Sequence, residues 1–264
     1  MELKYGLRDN QLVHIDDVIS GKACNCFCPG CLGPLLAKKG RIREHHFAHI
    51  DSDCQHGVES ALHFLAKEVI EKSGQITLAA VTLAFNSNRE DLVVYPEQTV
   101  SIDRVEIERS EGGIRPDLIL HVGTSQLLVE IYVTHKVDKA KRKYLRENLL
   151  SCIEIDLSKV PRDIDIEALS SLILGNTDNK KWLFNKKGYL KRIELQQIAI
   201  NREIHWSANK RTNGSQRRHL VDNCPLKHRN GERDTTADAM WECLYCACCI
   251  DHGNSVLCVE SLAD

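Results

Sequence analysis

Eleven of the twelve cysteines fall in two groups near opposite ends of the chain: Cys24, Cys26, Cys28, Cys31 and Cys54, then Cys224, Cys243, Cys246, Cys248, Cys249 and Cys258. Only Cys152 lies between them. A disulfide scaffold usually belongs to a secreted chain, whereas Cys-x-x-Cys spacing with histidines close by points to zinc in a reducing compartment. Free or oxidisable thiols are the competing reading of each cluster. Residues 1–57 favour a metal. Gly21, Pro29-Gly30, Gly33-Pro34 and Gly40 break this stretch into short strands and turns such as Gln11–Ile15. So small a segment buries little apolar surface, which leaves a structural task for an ion.

Cys28-x-x-Cys31 spans a Pro-Gly turn, where two thiolates can share one tetrahedral ion. His49 and Cys54 are the candidates for the other half of the site, with Cys24, Cys26, His45, His46 and His56 as surplus ligands. Cys54 stands only five residues before Glu59, so a zinc here would fix the approach to the helix that follows.

That helix is predicted over Glu59–Lys72, where Leu62, Leu65, Ala66, Val69 and Ile70 recur on one face. Glu59 projects within the apolar stripe and His63 at its edge. A carboxylate on a buried face needs a partner or a metal, although one in the first turn of a helix is also stabilised there and can stay wet. His63 reads equally well as a metal ligand or as a hydrogen-bonded core histidine. Strands are expected at Ile76–Phe85, within Glu97–Arg109, at Arg115–Val122 and at Gln126–Thr134, followed by a helix over 137–150, a strand over Cys152–Leu157 and a helix over Asp163–Leu174. With the strand at Ile76–Phe85 counted as an extra, the order from Glu59 is helix, three strands, helix, strand, which is a layered α/β core. The tight turn Gly123–Ser125 sets Asp117 and Glu130 on neighbouring strands. Two carboxylates on one sheet face make an oxygen-rich pocket for Mg²⁺ or Mn²⁺, with Glu59 as a further ligand or an orienter of water.

The net charge of −2 hides an asymmetry. Residues 180–233 carry 14 Lys or Arg against 4 Asp or Glu, a balance of +10, so the remainder carries −12. A one-sign field over a contiguous stretch attracts polyanions, and DNA is the expected partner of this region. Lys180-Lys181, Lys186-Lys187, Lys191-Arg192, Lys210-Arg211 and Arg217-Arg218 come as doublets, interleaved with Trp182, Phe184, Tyr189 and Trp206. These aromatics either stack on unpaired bases or anchor small helices to the core. With 27% charged residues, no apolar run near 18 residues and no basic-then-apolar start, the expectation is a cytoplasmic protein that does not contact a membrane. At the far end, Cys243 with Cys246 and Cys246 with Cys249 are overlapping knuckle pairs flanked by Cys224 and Cys258, and His228 can substitute for one of them.

Several of these pieces together resemble the CoiA-like competence protein family, within the restriction-endonuclease-like, or PD-(D/E)XK, nuclease superfamily. They are Cys28-Pro-Gly-Cys31, His45-His-Phe-Ala-His49, Asp53-Cys54, Glu59-Ser60 with His63 and Lys67, Arg115-Pro-Asp117, Glu130-Ile-Tyr-Val-Thr-His135-Lys-Val-Asp138 with Lys141, and Cys224-Pro225. The resemblance covers most of residues 24–157. It implies a restriction-endonuclease-like core over residues 58–175, between an N-terminal zinc module (1–57) and a basic region with a C-terminal zinc module (176–264). The zinc ligands would be Cys28, Cys31, His49 and Cys54 at one end and, from the family-like layout, Cys224, Cys246, Cys249 and Cys258 at the other. The implied activity is a metal-dependent DNA endonuclease or nickase with Glu59, Asp117 and Glu130 at a Mg²⁺ or Mn²⁺ site.

Tyr132 stands where the superfamily carries a lysine, and a phenol with a pKa of about 10 brings no fixed positive charge. His135, Lys136, Lys139 and Lys141 are the candidate replacements, Lys141 foremost because its long stem can reach from the following helix. Competing expectations are a non-catalytic or weakly catalytic DNA-binding accessory factor in DNA uptake, mobile-element maintenance or antiviral defence, and a zinc-containing interaction or regulatory protein. A homodimer would supply two sites for double-strand cutting.

Overall fold

Two short antiparallel hairpins open the chain: β1 (Tyr5–Arg8) pairs with β2 (Gln11–His14), and β3 (Leu35–Lys38) pairs with β4 (His46–His49). The first is closed by Asp9 and Asn10 at φ of 51° and 61°, the left-handed pair that a two-residue hairpin turn demands. Leu3, Ile15, Val18, Leu35 and Phe47 form a small core with Cys24, Cys26 and Cys28. The computed structural model describes residues 2–51, 54, 56–110, 112–161, 164–208 and 217–260. Asp53, Asp163, Lys210 and Arg211 lie outside the described residues.

Helix α1 (Gly57–Ser73) buries Leu62, Leu65, Ala66, Val69 and Ile70, the face read from the sequence, and ends at Gly74 in the left-handed conformation. Four short strands follow: β5 (Gln75–Leu78), β6 (Val81–Leu83), β7 (Leu92–Tyr95) and β8 (Gln98–Ser101). The single strand expected over 76–85 is therefore two, because β5 pairs with β8 while β6 pairs with β7. The strand expected within 97–109 also divides, into β8 and β9 (Arg104–Ile107), which belong to different sheets. The break at Ile102-Asp103 is the change of apolar phase visible in the sequence.

The core elements are β9, β10 (Leu118–Val122), β11 (Ser125–Tyr132), α2 (Lys139–Glu147), β12 (Cys152–Asp156), α3 (Ile166–Leu174) and β13 (Lys180–Phe184). They build a five-stranded sheet of order β13-β12-β11-β10-β9. Only β11 and β12 run parallel, so they need a crossover, and α2 supplies it. Alternation along the strands gives the sheet two apolar faces. Val129, Ile131, Ile153 and Ile155 pack with residues of α1 and α3, whereas Leu128 and Cys152 pack with Leu145 and Phe184. Both helices begin later than expected because Asp138 and Asp165 cap them, accepting from the Lys141 and Ala168 N–H groups at 2.7 Å each.

Beyond the core come α4 (Lys186–Ile198), β14 (Ile200–Glu203), β15 (His205–Ala208), β16 (Arg217–Val221), α5 (Pro225–Arg229), β17 (Ala237–Asp238), β18 (Cys249–His252) and β19 (Ser255–Cys258). The basic stretch is strand-rich, and the region holds two three-stranded sheets of order β14-β19-β18 and β15-β16-β17. The chain divides into two compact units, Met1–Ala79 with Glu97–Asn185, and Ala80–Pro96 with Lys186–Asp264. It is a mixed α/β fold with several small antiparallel sheets. Among the described residues no helix is long and apolar enough to cross a membrane.

Candidate metal centre

The turn between Cys28 and Gly33 is closed by backbone bonds in both directions: Cys28 N–H to Gly33 C=O at 2.8 Å and Leu32 N–H to Cys28 C=O at 2.9 Å. Within it the Gly30 N–H donates to Cys28 Sγ at 3.3 Å and the Gly33 N–H to Cys31 Sγ at 3.4 Å. The β3–β4 hairpin carries His49 to this turn, and Cys54 arrives from the segment leading into α1. The ligand atoms of Cys28, Cys31, His49 and Cys54 all lie within 4.8 Å of one another. A tetrahedral zinc with Zn–S of about 2.3 Å and Zn–N of about 2.0 Å requires S···S of about 3.8 Å and S···N of about 3.6 Å. Cys28 Sγ lies 3.9 Å from Cys54 Sγ, and Cys31 Sγ lies 3.5 Å from His49 Nε2. Donor chemistry and spacing both fit zinc. Burial pushes the Cys28 thiol up to about 11 against the pull of the Cys31 and Gly30 N–H groups, so metal binding must displace a proton that the site otherwise keeps.

The surplus ligands are occupied elsewhere. Cys24 and Cys26 are buried, their thiols directed at the carbonyls of Leu35 and Cys24. His45 bonds Asp16 at 2.7 Å, His46 bonds the Glu44 carbonyl at 2.9 Å, and His56 stands 3.6 Å from Glu59. The centre is also pressed against the start of α1. A Cβ on Gly30 would lie 3.1 Å from Ser60 Oγ, and one on Gly57 would lie 2.9 Å from Cys28 Sγ.

The core carboxylates have a different chemistry. Asp117 accepts from the Ile131 N–H at 2.7 Å and lies 3.1 Å from His63 Nε2 and 3.7 Å from Lys67 Nζ. Burial raises its pKa, but His63, the Ile131 N–H and Lys67 outweigh burial and hold it below the usual carboxylate value. Glu130 lies 2.6 Å from Lys141 Nζ, and burial nonetheless lifts it to about 7. Glu59 and His135 line a pocket of about 420 Å³ with His56, His63, Lys67 and Glu108. The expected Mg²⁺ or Mn²⁺ centre of Glu59, Asp117 and Glu130 is therefore corrected. Among the described residues the group able to hold a metal is three thiols and an imidazole, soft donors suited to zinc rather than the oxygen cage that Mg²⁺ prefers. Asp117 and Glu130 are answered instead by cations of the same chain. The reading as a metal-dependent endonuclease or nickase, with catalytic Glu59, Asp117, Glu130, Lys141 and His135, falls with that centre.

Two members of this ionic network were given no role by the sequence reading. Lys67, 4% exposed, lies one turn beyond His63 and bonds Glu108 at 2.5 Å, so its spacing from His63 was the available signal. Glu154 is the Cα partner of Glu130 across the parallel pair, and its position between Ile153 and Ile155 on a central strand marked it as buried.

In the basic region, Trp182 is an anchor, its indole N–H donating to the Ala79 carbonyl at 3.1 Å, and Phe184 is buried. Trp206 is 60% exposed on β15 and meets His219, its direct cross-strand partner on β16, at a ring separation of 3.9 Å. The expected ligands Cys224, Cys246, Cys249 and Cys258 are not gathered into a comparably tight group.

Three thiols and an imidazole beside the start of a helix define a protein of mixed α/β fold with one zinc-binding cluster. Residues 13–57, which contain the whole ligand set, match the family model described as "Competence protein CoiA, N-terminal domain". No curated protein and no solved structure matches the chain. The match thus assigns the N-terminal module, and nothing in the comparisons places the rest in the restriction-endonuclease-like superfamily.

Proposed function

We propose that the protein is a non-catalytic, zinc-stabilised DNA-binding accessory factor, of use in DNA uptake, mobile-element maintenance or defence. The observation that carries this reading is the Cys28–Cys31–His49–Cys54 cluster within a competence-protein module, beside carboxylates already partnered by His63, Lys67 and Lys141. Zinc bound there ties the knuckle, the β3–β4 hairpin and the approach to α1 together. The chain's own residues do the rest. Asp117, Glu130 and Lys141 serve as framework charges, and the +10 segment 180–233 contacts phosphates without reading base edges. Trp206, exposed on the β15–β16 hairpin, stacks on unpaired bases.

Fluorescence anisotropy with labelled single- and double-stranded oligonucleotides across a salt series tests this. Affinity should fall steeply with salt. Trp206→Ala should weaken single-strand binding by about 1–3 kcal/mol while leaving the duplex nearly unchanged. Absence of binding at low salt would discard the DNA reading in favour of a zinc-containing interaction protein. Trp241, Tyr245 and Met240, exposed by 79%, 57% and 44%, favour that second reading.

A further inference from the structure

The hairpin that brings His49 to the zinc centre ends in a basic tip. Lys38, Gly40, Arg41, Ile42, Arg43 and Glu44 are exposed where β3 turns into β4, and Ile42, at 99%, is the most exposed large apolar side chain among the described residues. Both shoulders of the turn are braced. The Lys39 ammonium donates to the carbonyls of Asp16 and Val18 at 3.0 and 2.8 Å, and Lys4 holds the Glu44 carboxylate at 2.9 Å and the His45 carbonyl at 2.8 Å. His45 is fixed in turn by Asp16 at 2.7 Å. Behind the tip, Gly21 and Ala37 exchange backbone hydrogen bonds of 2.9 and 3.2 Å. Arg41 and Arg43 have no ion-pair partner among the described residues. What projects from this frame is therefore Arg41, Ile42 and Arg43.

We infer that this tip is a wedge for double-stranded DNA, with Ile42 entering between adjacent base pairs from the minor groove and Arg41 and Arg43 on the groove walls and flanking phosphates. The role rests on the DNA reading proposed above. A minor groove about 6 Å wide excludes a helix but takes single side chains, and its negative potential favours arginine. An apolar wedge there partly unstacks one base step and kinks the duplex. A stiff insert does this best. Isoleucine is restricted at χ1, and the braced shoulders keep the turn from folding back. Zinc bound at the base of the hairpin, through His49, stiffens it from the other end. A lone isoleucine between two arginines gives no broad apolar face for a membrane, whereas a base step takes one wedge. Asp16, Asp17, Asp165 and Glu167 share a cavity of about 850 Å³ with Arg41, Ile42 and Arg43 and repel a polyanion from it, which confines contact to the tip.

The test uses the full-length protein and a duplex carrying 2-aminopurine at a central T-A step, a base whose fluorescence rises when it unstacks. Wild type is expected to brighten the probe and to bind a duplex with a central mismatch about tenfold more tightly than the fully paired one, because a mismatched step is cheaper to open. I42A should abolish both effects and I42M should retain them. R41Q/R43Q should weaken all duplex binding and lower the log–log salt slope by about 2. Unchanged zinc content in every variant separates loss of the wedge from misfolding. No duplex binding at low salt would remove the DNA reading itself, and the wedge with it. Binding without brightening, or brightening and mismatch preference unchanged in I42A, would overturn the wedge alone. So would Ile42-dependent dimerisation or flotation with phosphatidylglycerol vesicles in place of these duplex effects, which would give the tip to a second copy or to lipid.

Discussion

Gly57, the first residue of α1, leaves no room for a Cβ: one built there would lie 2.9 Å from Cys28 Sγ. Helix propensity alone would favour alanine at this position by up to about 1 kcal/mol, whereas forcing an extra carbon into a packed site costs about 1–3 kcal/mol. The clash should prevail. Gly57→Ala (G57A) is expected to weaken zinc binding at least several-fold in a chelator competition while retaining wild-type helicity by circular dichroism. Unchanged zinc affinity with a raised Tm would show that Cys28 yields freely.

Cys54 is the ligand nearest to α1 in sequence, so its loss should be felt in the helix. Cys54→Ser (C54S), or chelation of the wild-type protein, is expected to accelerate amide exchange over the first turns of α1 without altering β11 and β12. Uniform acceleration across the core would instead mean that the whole unit depends on the metal.

Leu32 holds a φ of 56° while 67% exposed, a left-handed conformation that costs a side chain about 1–2 kcal/mol. Glycine relieves that strain but loses more freedom on folding. The balance should be a gain of roughly 0.5–1 kcal/mol for Leu32→Gly (L32G), measured by urea unfolding in saturating zinc. A loss of stability would indicate that the leucine side chain contributes packing that outweighs its backbone strain.

Glu130 gives the core a pH signature. Its pKa is raised from 4.5 to about 7, chiefly by burial, so between those values the native state keeps a proton that the unfolded state has released. Stability therefore falls as pH rises through that window, by about 3 kcal/mol in full. In urea unfolding, Glu130→Gln (E130Q) should gain on wild type between pH 5 and pH 8. Lys141→Ala (K141A) should cost more at pH 8, where its partner is ionised. Equal costs for E130Q at both pH values would refute the protonated carboxyl.

Much of the framework was legible because its signals are local. The apolar face of α1, the turn between β10 and β11, and the Cys28–Cys31 pair each lie within a few positions of sequence. What escaped depends on distant partners. The pairing of β14 with β19 joins segments separated by four other strands, and nothing near Ile200 announces it. Asp117 and Glu130 were read as ligands of a divalent metal, because sequence spacing does not say whether an ion or a side chain of the same protein faces a buried carboxylate. His63 and Lys67 decided the first case and Lys141 the second, through contacts that only the packing of α1 and α2 creates.

Helix α2 also constrains how its face of the sheet is closed. Glu130 and Glu154 are adjacent on the parallel strands β11 and β12, and the two cations that approach them, Lys141 at 2.6 Å and Arg142 at 3.8 Å, are successive residues of the crossover between those strands. Until α2 docks, that face of the sheet is open and water answers both carboxylates; the cations become necessary as the helix covers them. The acidic pair thereby discriminates among ways of closing that face, penalising any packing in which α2 lies the wrong way round and its two cations miss their partners.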